Sequence, residues 1–410
     1  MGTVIWQGDA PLVAEVKTVT PADIVISDTF TVTCNGKNIV FTASANTVVS
    51  VVNGLLALWN ASTEPEFEEI TATNPANTAL VLTHDTAGVP FTVTASTSGN
   101  GSHTVATTTA ASGPNCLNVA TNWSGGAVPA NTDDVVFEYS DIDLLYQLDA
   151  LAAISADVVS IKSTFTGNIG LPRTNENGYA EYRPRYLQLG ANTVTIGEGT
   201  GAGSSRVQLD LCNTTPTINV YNMAQTLEKG INPLLIINTA ANTILNVNKG
   251  SVGIAINAGE TSTITTMNIG SINNIVGDST VDCGSGTTLG TIVKLGGAVT
   301  FESNVTTLTQ HAGTSTILGA ATATTITIND GTLEDRSSGT FTTVNLHGIY
   351  DKRKSTAAKT CTNFNAYKGA KIYDPAGTIT FTNGIDLVQC KLSDVVIDRP
   401  ANKTWTETAI

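Results

Sequence analysis

The chain is poor in charge, aromatic residues, methionine and histidine. Of 410 residues, 13% are Asp, Glu, Lys or Arg and 6% are aromatic, with three Met and four His. So little charge excludes the highly charged kind of disordered chain. No apolar run approaches the ~18 residues of a membrane-spanning helix, so no such helix is expected. The histidines (His84, His103, His311 and His347) are not spaced with Cys or carboxylates as a zinc site requires. The cysteines are Cys34, Cys116, Cys212, Cys283, Cys361 and Cys390, none closer than 29 residues to the next, which excludes CxxC metal and redox motifs. Six small buried thiols are a simpler reading than a disulfide framework, because Met1–Trp6 lacks a positive n-region and no secretory signal is expected. Neither a G-x-S-x-G elbow nor a Walker A loop occurs. No catalytic residue, metal or cofactor is therefore expected.

Basic residues are scarce in one half. Residues 1–161 hold 16 Asp or Glu against Lys17 and Lys37, a net charge of 2 − 16 = −14, while residues 162–410 carry 18 of each sign. The first part should repel nucleic acid and anionic membranes, so neither is expected as a partner. It either keeps a β-rich module soluble or docks on a basic surface.

What the chain has is a repeat. From Thr243 onward, short β-prone runs such as TIVKLGGAVTF, TITINDGTLED and TTVNLHGIYD are punctuated by Gly250, Gly270, Gly284, Gly297, Gly313, Gly331, Gly348, Gly369 and Gly384. These eight intervals over 134 residues average about 17, enough for one coil of a β-solenoid. Alternation as in Thr325-Ile326-Thr327-Ile328 points one face inward and one outward, with glycine at the bend. The expected fold is mainly β: a right-handed parallel β-helix over 141–398, preceded by a small α+β module over 1–112 and a linker with an N-terminal cap over 113–140, and followed by a tail over 399–410. Handedness here rests on the general preference of parallel crossovers.

In the module, Ile24–Thr33 and Asn38–Ala43 read as a hairpin around Asn35-Gly36. Thr47–Asn60 has helical spacing at Val48, Val51, Val52, Leu55, Leu56 and Trp59, with Asn46 or Thr47 as cap. Strands are expected at Glu69–Thr73, Ala79–Thr83 and Phe91–Ala95. Residues 96–114, rich in Ser, Thr, Gly and Ala, read as a linker or extended loop. The glycine-rich GEGTGAGSS (197–205) has no helix pattern after it and reads as a long turn rather than a phosphate cradle.

Trp123, Gly126, Pro129, Asp133 and Val135 fit W-x-x-G-x-x-P-x-x-x-D-x-V, a pattern that resembles the opening of β-helical surface and autotransporter-like domains. Trp123 is the candidate cap of the open end, Pro129 discourages edge pairing, and Asp133 and Asp134 bond turn amides. Cation binding by Asp133, Asp134, Asp141 and Asp143 is the alternative.

Tyr179, Glu181, Tyr182, Arg183, Arg185 and Tyr186 are the recognition or interface candidates, being rich in residue types that dominate binding interfaces. The alternative is that they cover a loop on the flank. Lys352-Arg353-Lys354 reads as a solvated tip or a contact for an acidic neighbouring subunit. Glycosidase chemistry needs two carboxyl groups about 5–10 Å apart, and Glu334 with Asp335, Glu302 with Asp330, and Asp351 are the candidates.

FTGNIGLP (165–172), the stretch 179–210, FESNVTTLTQHAGTSTILGAATATT (301–325), VVNGLLALWNASTEPEFEEITA (51–72) and HDTAGVPFTVTAS (84–96) resemble a family of tailed-bacteriophage virion structural proteins. The resemblance implies a non-enzymatic virion component with a β-helical body, made in the host cytoplasm and displayed on the particle as decoration, fibre or spike. Capsid or tail proteins are the expected partners, with a host glycan as an optional one. The ends and lateral face of a lone solenoid are sticky, so self-association is expected, most simply as a trimer. A tailspike enzyme cleaving surface polysaccharide and a bacterial adhesin are the competing classes.

Overall fold

The computed structural model describes residues 2–225, 231–272, 275–276 and 278–410. Asn273 and Asn274, the end of one repeat run, lie outside the described residues. Strands take 45% of the chain and helices 7%, which makes it mainly β.

Alternating burial along the repeat sets the architecture. In Ala323–Ile328, Ile326 and Ile328 are fully buried while Thr325 and Thr327, alternating with them, are only half-buried. The chain visits two parallel sheets in turn, one of 15 strands and one of 11, and apart from the short antiparallel pair Ser271–Ile272 and Ile275–Val276 the strands of successive repeats lie side by side in them. This is compatible with a β-solenoid. Register carries the core along the sheet: Ile218, Leu245, Met267, Ile292, Leu308, Ile326, Val344, Phe364 and Ile385 are successive in-register partners, all buried. Outside, Asn268 Nδ2 donates to Asn246 Oδ1 (2.7 Å) and Asn246 Nδ2 to Asn219 Oδ1 (2.8 Å), a side-chain ladder added to the backbone one.

The spacing of the glycines follows from stacking. Gly313 and Gly331 have φ of 79° and 82°, and a Cβ on either would lie 2.1–2.2 Å from the carbonyl oxygen of the glycine one turn earlier. Successive corners therefore pack backbone on backbone, which only glycine permits.

One apolar core runs from Trp6 to Trp405. At its far end Phe364, Phe381 and Trp405 pack edge to face at 4.8 and 4.9 Å, and Trp405 Nε1 donates to Ile379 O (3.3 Å). The expected tail thus contributes a core residue and a strand, Glu407–Ala409, paired with Ile385–Leu387.

The antiparallel module has its own core, including Val19, Phe30, Val32, Leu55, Trp59 and Phe91. Its helix is Val48–Ala61; Thr47 caps it, accepting from Ser50 N at 3.3 Å. The hairpin joins Thr29–Cys34 to Lys37–Thr42, with Asn35 and Gly36 at φ 48° and 86°, as a tight primed turn requires. The linker reading of 96–114 is corrected: Ser102–Thr109 is an eight-residue strand pairing antiparallel with Val16–Ala22. Its threonines are β-branched and suit a half-exposed strand, which composition alone hides.

Thr3–Ile5 is not in the module. It pairs in parallel with Asp134–Val136, at the edge of the large sheet. The module is therefore an insertion. Its two ends meet where Val13 N donates to Ser112 O (2.8 Å) and Ser112 N to Val13 O (3.3 Å).

Candidate interaction site

Tyr179, Glu181, Tyr182 and Arg183 form the joint between module and body. Arg183 is buried. Its Nε and one terminal nitrogen bind the fully buried Glu181 carboxylate at 2.8 and 2.9 Å, and that same terminal nitrogen reaches Glu176 at 3.1 Å. The guanidinium lies 4.9 Å from the Tyr146 ring centre and 5.2 Å from that of Tyr182. Burial opposes its charge, and the Glu181 hydrogen bond and charge more than offset this, raising the pKa. Tyr182 packs against the module's core and donates to Pro90 O (3.3 Å). Tyr179 stacks on Tyr182 at 6.2 Å and donates to Glu69 Oε1 (2.7 Å), to which Asn177 also donates. Burial, then the Glu69 contact, raises the Tyr179 pKa; burial also raises that of Tyr182.

His84 completes the module side of the joint. Its Nδ1 accepts from Thr86 N (3.0 Å) and its Nε2 lies 3.8 Å from Glu69. Burial lowers its pKa more than Glu69 raises it. Arg185 and Tyr186 leave this group and follow the body instead. Arg185 Nε donates to Leu171 O (3.3 Å), and Tyr186 Oη donates to Glu260 (2.6 Å).

The cap residues take separate tasks. Trp123 is 1% exposed and its Nε1 donates to Leu117 O (2.9 Å). Pro129, six residues on, is buried. Asp133 accepts from Gly2 N and Ala130 N, both at 3.0 Å, and these bonds hold its pKa below the usual carboxylate range. Asp134 Oδ1 is buried without a partner among the described residues. Asp143 binds Asn168 N (2.6 Å). The four aspartates do not gather, and no cluster of three His, Cys, Asp or Glu among the described residues could hold a metal ion.

The sequence did not single out Asn122. It is fully buried, accepts from Ala10 N (2.7 Å) and donates to Gly113 O and Cys116 O (2.8 Å each). Its side chain thus ties the first segment to the chain's re-entry into the body; its place beside Trp123 was the only signal.

The carboxylates considered for hydrolysis are engaged. Asp335 is buried, accepting from Tyr350 Oη (2.5 Å) and Ser337 Oγ (2.7 Å), with Lys359 Nζ at 3.5 Å. Glu334 pairs with Arg336 and Lys354, and Asp351 with Arg353 at 2.7 Å. Lys352 is 1% exposed, which corrects its placement at a solvated tip; its backbone N–H joins Tyr373 O (2.8 Å) and its Nζ donates to Ser355 Oγ (3.5 Å). His311 and His347 are exposed at turns. All six cysteines are free thiols.

No protein-family model and no curated protein matches the chain.

Proposed function

We propose that this chain is a non-enzymatic structural protein of a bacteriophage particle, displayed on its surface, with a right-handed parallel β-helix as a rigid shaft and the inserted module as its attachment point. The observation that carries the reading is the in-register column from Ile218 to Ile385. It makes the body a single stack in which each strand depends on its neighbours, a construction suited to spacing and presentation. The buried joint at Arg183 supports it further, because a module that attaches must transmit load to the shaft. Capsid or tail proteins are the proposed partners, and a homotrimer the proposed assembly.

Purified particles labelled with antibody against the chain test this. Labelling at regular positions on head or tail is the expected result. Particles that lack the chain by mass spectrometry while infected cells contain it would overturn the reading.

A further inference from the structure

Arg173, Arg185 and Arg206 line one cleft of about 350 Å³ on the flank of the body. Arg206 Nε donates to Gly170 O (3.0 Å) and Arg185 Nε to Leu171 O (3.3 Å). Adjacent carbonyls at the bend of Gly170, whose φ is 100°, thus hold two like charges near each other. Their terminal nitrogens have no carboxylate partner among the described residues; every ion pair found there lies elsewhere. Burial pushes the Arg206 pKa down, Asp143 opposes this and Arg185 adds to it. Two half-buried like charges placed together, with Asp143 opposing only in part, favour an anion between them.

A second observation narrows the ligand. Gln208 and Asn232, 4% and 5% exposed, line the same cleft, and Gln208 Oε1 and Asn232 Oδ1 are buried without partners among the described residues. Asn232 Nδ2 donates to Asp282 Oδ2 (2.8 Å), which fixes its oxygen as the free acceptor. A buried acceptor without a donor costs roughly 1–3 kcal/mol. A bare oxyanion fills the arginines but offers nothing to these oxygens. Pro172, Pro233 and Ile231 add apolar wall.

We propose that this cleft binds a small ligand carrying both an oxyanion and hydroxyl groups, the chemistry shared by sugar acids and sugar phosphates. The anion bridges Arg185 and Arg206, Arg173 closes over it from the rim, and hydroxyls donate to Gln208 and Asn232. The site does not depend on where the chain is displayed.

Calorimetric titration of the full chain with glucuronate, glucose 6-phosphate, inorganic phosphate and glucose tests it. Glucuronate or glucose 6-phosphate should bind at least tenfold more tightly than inorganic phosphate and glucose, and the tighter of the two identifies the source of the anion. Arg206→Gln, and separately the rim variant Arg173→Gln, should each weaken binding about tenfold with an unchanged unfolding midpoint. Gln208→Leu should erase the advantage over inorganic phosphate. Absence of binding by either hydroxylated anion at millimolar concentration, equal affinity for glucose, or binding indifferent to the arginine variants would each overturn the proposal.

Discussion

Trp6 and Trp123 meet edge to face, ring centroids 5.1 Å apart, and Phe137 packs against both at 6.3 and 5.9 Å. A residue from the first segment and one from beyond the inserted module together close the end of the body's core. Trp6 Nε1 donates to Ile142 O (3.2 Å), so its polar end is also satisfied.

Removing that ring leaves a large cavity over Phe137. Trp6→Ala should destabilise the body by about 3–5 kcal/mol. Denaturant unfolding measures the loss, and hydrogen exchange should place the first opening at Asp134–Phe137. A loss under ~1 kcal/mol would mean that Trp6 is not part of the closure.

At the joint, the cost lies in the charge left behind. Arg183→Met strands the buried Glu181 carboxylate and should cost about 3–5 kcal/mol. Adding Glu181→Gln should recover much of this. If the double variant is no more stable than the single one, the guanidinium acts through its packing on Tyr146 and Tyr182 rather than through Glu181.

Lys294 gives a pH dependence. It is fully buried, its Nζ donates to Ala312 O (2.5 Å), and burial lowers its pKa from 10.5 to about 8. Between those values the unfolded chain holds the proton and the folded chain does not, so this group's contribution to stability rises with pH from about 8 to 10.5 and is flat below. The buried thiols oppose it. Cys116 and Cys361 are pushed up by burial to about 12, so their contribution falls as pH passes 9. The variant isolates the lysine. Lys294→Met should be more stable than the parent by roughly 2–3 kcal/mol near pH 7, with the gap closing towards pH 10.5. A gap independent of pH would show that Lys294 has the same pKa in the folded and the unfolded chain.

The parallel body was legible because the glycine spacing and the alternation at Thr325–Ile328 arise from the same geometry, stacking of one corner on another. The helix and the Asn35-Gly36 turn were legible because each is fixed by residues close in sequence. Ser102–Thr109 was not, since threonine-rich composition suits loops and half-exposed strands alike. Nor was the place of Thr3–Ile5, whose partners come after the whole module; long-range pairing leaves no local mark. The Tyr179–Tyr186 stretch shows both limits. Its residue types marked it as an interface, but only the fold shows Arg183 turned inward to a joint and Arg185 turned outward to a cleft.

The division of roles between module and shaft is tested most directly by excision. Val13 and Ser112 already pair, so replacing residues 14–111 with a two-residue Asn-Gly turn should close the gap without moving Thr3–Ile5 or Trp6. Deleting 1–112 outright would instead remove the edge strand and open the core at Trp123. The measurement is the amount of the excised chain recovered in purified particles, relative to the intact chain, after both are shown to be folded by circular dichroism. A folded, soluble excised chain that is absent from particles is the expected result. Incorporation at the intact level would contradict it and assign attachment to the parallel-sheet body.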